Sequence, residues 1–298
     1  MLSTLSTTKS ALFNYKKATA TATTTFSAFP SSIIGRYDMY YDSGRFLSTG
    51  GSVTTDNQHV YKIVNKNNIG MYDLISRSTE ANKVNYFASS GLGLSKPCVI
   101  MNGTVISNIG YQTLTNHPNF PNGFEMICVM RPLGNATYNK QNFLTKTGTT
   151  NANIANPFDI QGGGNVCGNG ASYVIINHAS EVSFITTPTT GFIFGVNMTK
   201  ATGKCQEFKN GTMVADTTNS NITSYYTDNT NMTMLVGAKR DNANNCKFEW
   251  GEILLFTSAL STSDRNLIEG YLSTKWGIPL SATHPYYNQT VTYTGVNQ

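Results

Sequence analysis

The chain is poor in charge. Asp, Glu, Lys and Arg together make up 12% of its 298 residues, while Asn, Thr, Ser and Gly are plentiful, so its surface must be covered by neutral hydrogen-bonding groups. That composition is more typical of an exported or assembled protein than of a cytosolic metabolic enzyme. The net charge is only +5, and no block of like charges could track a nucleic-acid backbone, which argues against a DNA- or RNA-binding role. Long apolar runs are also missing. Segments such as "SSIIG" and "EILLF" are far too short to span a bilayer, so no membrane insertion is expected.

Closely spaced cysteines are absent. Cys98, Cys128, Cys167, Cys205 and Cys246 are widely scattered, with no CxxC pair and no histidine at metal-ligand spacing. This excludes a zinc site and a disulfide framework and predicts buried free thiols, with one Cys205–Cys246 bridge left open. N-x-S/T sequons, for example at Asn102, Asn197 and Asn288, are about as frequent as the Asn, Ser and Thr content alone gives, and carry no signal of glycosylation. No cofactor motif is present. "QGGGNVCGNG" lacks the Lys-Ser/Thr and the helix of a phosphate loop, and no G-x-S-x-G, H-E-x-x-H or EF-hand pattern occurs. The histidines, His59, His117, His178 and His284, lie far apart, and His117 and His284, each before a proline, read as turn residues.

Acidic residues are missing from the first thirty-seven positions, where Lys9, Lys16 and Lys17 stand among many hydroxyls. Without an apolar leader core or an arginine-rich amphipathic stripe, residues 1–30 read as a flexible or partner-docked arm rather than a targeting signal. Residues 31–286 form the folded domain and 287–298 a tail. Within the domain, short apolar segments such as "GFEMICVMRPL", "GFIFGVNMT" and "FEWGEILLF" are rich in β-branched and aromatic residues. They are punctuated by Asn102-Gly103, Asn122-Gly123 and Asn210-Gly211, each suited to a tight turn with positive φ. Many short strands without intervening amphipathic helices predict an all-β, two-sheet antiparallel jelly-roll sandwich.

One helix interrupts this pattern near the end. Ser261 is placed to cap it, with Asp264 three residues on completing a capping box. Leu267, Ile268, Tyr271, Leu272 and Trp276 recur at three- and four-residue spacing, Gly277 ends the helix and Pro279 blocks its continuation. The stripe predicts a short structural helix laid across an edge or end of a sheet, anchored by Trp276.

At these residues the chain resembles a known family. "FEWGEILLFTSALSTSDRNLIEGYLSTKWGI" followed by "THPY" looks like the closing strand and helix of the concanavalin A-like (laminin G-like, lectin/glucanase) jelly-roll superfamily, in particular a subgroup found among phage and giant-virus structural proteins. Gly251, Glu252, Ser261, Glu269, Gly270, Tyr271, Leu272, Lys275, Trp276, Gly277, His284, Pro285 and Tyr286 sit where that phrase places them. Upstream, "SSGLGLSKPCVIMNGT", "GFEMICVMRP" and "EFKNGTMVA" resemble three of its strands, so the match runs over residues 80 to 286. The resemblance implies structural roles for Trp250, Gly251, Ser261, Asp264, Tyr271, Leu272, Trp276 and Gly277.

Lectins, glycosidases and inert structural units share this superfamily, so fold alone does not give function. Glycosidases of this fold carry two glutamates on one face of a strand, because a retaining mechanism needs carboxyls about 5 Å apart. The nearest candidate is Glu249 with Glu252, whose odd spacing puts them on opposite faces of a regular strand unless Gly251 bulges. The expectation is therefore a protein that is not an enzyme. By the viral resemblance it is a virion structural component (minor capsid, decoration or fibre-associated) in a multimeric assembly. Its partners would be other virion proteins, among them a major capsid protein, contacted through the jelly roll and the arm. The alternative is a carbohydrate-binding or receptor-recognition module on a particle or a cell surface, or secreted. Tyr225 and Tyr226, with Asn165 and Asn169, are the candidate sugar-binding residues, and Asp159 is the single calcium candidate.

Overall fold

The computed structural model describes residues 22–40, 45–46, 50–67, 71–77, 84–89, 96–101, 111–113, 117–133, 140–147, 158–163, 171–176, 180–186, 190–225, 232–237 and 248–295. Two open antiparallel sheets face each other, and neither closes into a barrel. In the first the spatial order is β13 (Ser180–Thr186), β12 (Ala171–Ile176), β11 (Phe158–Gly163), β10 (Lys140–Thr147), β17 (Thr233–Val236), β8 (Tyr111–Gln112), β5 (Leu74–Ser76), β4 (Lys62–Ile63) and β3 (Arg45–Phe46). The second runs β16 (Thr212–Thr218), β15 (Lys204–Lys209), β14 (Phe192–Thr199), β9 (Gly123–Pro132), β18 (Phe248–Phe256), β7 (Cys98–Met101) and β6 (Val84–Phe87). The predicted jelly-roll sandwich is thus the architecture observed.

Strand β18 divides its outer edge between two partners. Its first half pairs with β7, and its second half, from Glu252 on, pairs with β2 (Ile33–Asp38). The change falls at Gly251. There the register against β9 slips, with Trp250 opposite Met130 and Glu252 opposite Val129, so Gly251 bulges. A side chain at 251 would also collide with the Trp276 ring.

Two turns follow their sequence signals. Asn210 and Gly211 both have positive φ (48° and 79°) and join β15 to β16 as a two-residue hairpin, and Gly123 (φ 116°) opens β9. Asn102-Gly103 lies outside the described residues. Cys98, Cys128 and Cys205 are buried and form no disulfide among the described residues, and Cys167 and Cys246 lie outside the described residues.

The predicted helix is α2, Thr262–Trp276, preceded by a six-residue helical turn, α1 (Ser220–Tyr225). The Ser261 Oγ accepts the Asp264 N–H at 3.1 Å and donates to the Asp264 carboxylate at 2.7 Å, while Gly277 closes the other end in the left-handed region. The position of α2 differs from the expectation of a plug at a sheet edge. It lies over the outer face of the second sheet. Along β9, Phe124, Met126, Cys128 and Met130 point into the core between the sheets, while Ile127 and Val129 point out toward Ile268, Leu272 and Trp276. A strand covered on both faces needs apolar residues at consecutive positions, and the unbroken run of "MICVM" is that pattern.

A third element straps the helix. Strand β1 (Thr23–Phe26) pairs in parallel with β19 (Thr290–Tyr293), and Phe26, Phe29 and Tyr293 close edge-on and tilted against one another and Tyr271. Both strands lie outside the span of 31–286 taken for the domain from sequence. Among the described residues no helix is long and apolar enough to cross a membrane.

Candidate functional site

The bulge at Gly251 sets up the site. By skipping one residue it puts Glu249 and Glu252 on the same, outward face of β18, the geometry the odd spacing would otherwise forbid. Their carboxylates are then engaged separately. Glu249 receives the Arg131 guanidinium at 2.8 Å. Glu252, fully buried, accepts from the Lys275 ammonium (2.7 Å), the Trp276 indole (3.1 Å), the Tyr271 hydroxyl (3.2 Å) and Arg36 Nε (3.3 Å). With its lone pairs taken by four donors, Glu252 is a structural hub.

Its cross-strand neighbour in β2 is Asp38, also fully buried. Two carboxylates directly opposite in a sheet repel. Lys275 cancels the repulsion by bridging them, with Asp38 at 2.5 Å and Glu252 at 2.7 Å, and its third proton reaches the Tyr271 hydroxyl at 3.0 Å. Arg36 adds a second cation, 3.4 Å from Asp38, its guanidinium standing 5.1 and 5.0 Å from the ring centres of Phe29 and Tyr293. Burial alone would push the Asp38 carboxyl up, but Lys275 and Arg36 hold it below the ordinary carboxylate range. Burial likewise opposes the charge on Lys275, and Glu252 and Asp38 overcome it and hold the ammonium well above its usual value. Burial and the Glu252 charge push the Tyr271 hydroxyl up, so it stays protonated and donates to Glu252.

Above this network a cavity of about 260 Å³ opens between α2, β2 and β19. Three cations, Arg36, Lys96 and Lys275, line it, with Tyr40, Tyr271 and Tyr293 as aromatic walls and the Thr274 and Thr292 hydroxyls beside them. Among the described residues no acidic side chain lines it. Tyr40 is 39% exposed, and the Lys96 and Lys275 ammonium groups stand 4.9 and 5.7 Å from its ring centre. Burial and the nearby Lys275 lower the Lys96 ammonium. Lys66 lies in the same field, and burial, aided by Arg36 and Lys275 against the pull of Asp38, brings it down to about 8. A second, shallower groove of about 460 Å³ runs between β16 and the 279–287 segment, walled by Val214, Leu280 and Tyr287 with Lys209 as its one charge among the described residues.

The residues expected from sequence to bind sugar or calcium fall largely outside the described residues. Tyr225 is the last residue of α1, while Tyr226, Asn165 and Asn169 lie outside the described residues. Asp159 sits within β11, paired with Thr145 and Ile175, and its side chain is outside the described residues. Of the residues read as structural, Gly251, Tyr271, Leu272 and Trp276 meet on the outer face of the second sheet, while Trp250 points into the core between the sheets. His284 is a turn residue but a buried one. Its Nδ1 accepts the Tyr286 N–H at 3.1 Å, which leaves the proton on Nε2 to face Glu269 at 3.2 Å. Sequence reasoning passed over Arg36, Asp38, Tyr40, Lys96 and Tyr293. The available signal was "IIGRYD", a strand carrying Arg36 and Asp38 two residues apart, hence on one face.

No protein-family profile and no curated protein sequence matches the chain. Among solved structures it is similar to Trypanosoma rangeli sialidase in complex with sialic acid, with a TM-score of 0.53 and 9% identity over 84% of this chain and 34% of that one. It is also similar to the native heptameric SAP-like pentraxin of Limulus polyphemus, with a TM-score of 0.43 and 11% identity over 61% of this chain and 78% of that one. The chain spans about a third of the sialidase's length, and the likeness is one of fold alone.

This overturns the expectation of a protein that is not an enzyme. An enzyme shares the fold over most of this chain, so the fold gives no ground for excluding catalysis. A missing carboxylate pair does not exclude every glycosidase either, because sialidases use a tyrosine nucleophile.

Proposed function

We propose that the chain is a carbohydrate-recognition module. The observation that supports this reading is the cavity beside α2. Its converging hydroxyls and charges, set between tyrosines on a rigid β-sandwich, are the mixture of apolar wall and few placed polar groups that small-ligand sites use. Its volume lies just under the range of about 300–1,000 Å³ common for drug-sized ligands, which suits one sugar residue rather than an extended oligosaccharide. The sialidase of similar fold holds sialic acid, which makes glycans the first ligand class to test. The virion structural role rests on the C-terminal phrase, the acid-free arm and the low-charge surface, and placement on a particle or a cell surface stays a separate proposal.

The test is a glycan array probed with the full chain, followed by calorimetric titration of the hits with the chain and its Tyr40→Ala variant. Saturable binding that weakens at least several-fold in Tyr40→Ala supports the reading, because Tyr40 is exposed enough to be removed without opening the core. No binding to any glycan, or binding unaffected by the substitution, sinks the assignment to this cavity. Hits should also be offered as fluorogenic glycosides, since turnover would place the same site among glycosidases.

A further inference from the structure

We propose that this cavity takes an acidic monosaccharide, with the sugar carboxylate seated against Lys96 beneath Tyr40 and in the field of Arg36 and Lys275. The inference rests on the glycan-recognition reading and specifies its ligand.

Charge counting points to an anion. The cations lining the cavity are Arg36, Lys96 and Lys275, and the carboxylates facing them among the described residues are Asp38 and Glu252, a surplus of one positive charge. Both carboxylates are fully buried beneath the cations, so the surface a ligand meets is positive. Tyr40 holds the Lys96 and Lys275 ammonium groups within 6 Å of its ring without neutralising either. Two like charges gathered on one ring repel, and an anion beside them relieves that repulsion.

The donors divide the work. Lys275 spends its three N–H bonds on Asp38, Glu252 and Tyr271, so it acts on a ligand through its field. Lys96, which lines the cavity from the segment before β7, is placed to make the direct hydrogen bond, and the Thr274 and Thr292 hydroxyls can meet ring hydroxyls of the sugar. A bare inorganic anion would leave the tyrosine walls and the threonine hydroxyls unused. The acid group of a sugar uses both halves of the site.

The experiment titrates the full chain with glucuronate, N-acetylneuraminate, glucose and inorganic sulfate, and repeats each titration with the Lys96→Met variant. Lys96 is partly exposed and outside the buried network, so the variant should fold. The expected result is that at least one acid binds about tenfold or more tighter than glucose, as one charge-assisted hydrogen bond allows. Lys96→Met should weaken that acid about three- to fivefold, the scale of a partly exposed ion pair, and leave glucose unchanged. Equal binding of glucose and the acids overturns the inference while leaving glycan recognition standing. Sulfate binding as well as the acids shows a simple anion site and overturns the inference too. Failure of every sugar, together with a blank glycan array, removes both readings.

Discussion

Replacing Glu252 by Gln keeps the shape of the hub and removes its charge. In the native protein four donors converge on this carboxylate from β2 and α2: Lys275, Trp276, Tyr271 and Arg36. A Gln amide offers one oxygen, and its NH₂ must turn toward at least one of these donors, leaving a buried donor without an acceptor at a cost of about 1–3 kcal/mol. The lost charge also leaves Arg36 and Lys275 facing Asp38 alone. Breaking a buried ion pair from one side costs about 3–5 kcal/mol, which already includes much of that orphaning. We expect Glu252→Gln to lower unfolding free energy by about 4 kcal/mol, a large share of the roughly 5–15 kcal/mol typical of a domain. Urea unfolding followed by tryptophan fluorescence measures it, because Trp250 and Trp276 both lie in the affected layers. Adding Lys275→Met removes the unmatched ammonium, so the double variant should recover about 1–3 kcal/mol relative to additivity. A loss below about 1 kcal/mol for Glu252→Gln, as for an exposed pair, or strict additivity in the cycle, would refute the account of Glu252 as a buried hub.

Two further outcomes follow from the same region. Gly251→Ala places a methyl group within the Trp276 ring, 2.7 Å from Cζ2, on a bulge hemmed in by β9. It should cost about 3 kcal/mol, the top of the usual overpacking range, and an unchanged urea midpoint would mean that Trp276 is not seated there. Lys66 gives a pH signature with a definite sign. Its ammonium titrates near 8 in the folded state against 10.5 when unfolded, so between those values the unfolded chain binds the extra proton. The stability contribution of Lys66 therefore rises as pH climbs from about 8 to 10.5, and below 8 its burial penalty is present in full. In Lys66→Met this rise should vanish; parallel stability curves for the two proteins across that window would contradict the shift.

The strands, turns and helix of this protein were legible in sequence because they are written in local chemistry. Asn210-Gly211 announces a hairpin since both positions need positive φ, and Ser261 with Asp264 and Gly277 marks the ends of α2 through groups within three or four residues of each other. The side of the sheet that α2 covers was written in the apolar run of β9 but is easily missed, because such a run suits any strand buried on both faces.

The candidate site was not legible in that way. Arg36 and Glu252 lie 216 residues apart in the chain, and Asp38 and Lys275 lie 237 apart. No spacing rule joins them, and only the pairing of β2 with the second half of β18 brings the carboxylates opposite each other beneath the last turn of the helix. That pairing depends on the bulge at Gly251, which a sequence can permit but not require. By itself the sequence determined which segments are strands, where they turn and how α2 is capped, since each of those choices is settled by neighbours along the chain. Only the tertiary structure decided that two buried carboxylates lie beneath a cavity lined by cations and tyrosines, because long-range register alone sets which charges share a low-dielectric space.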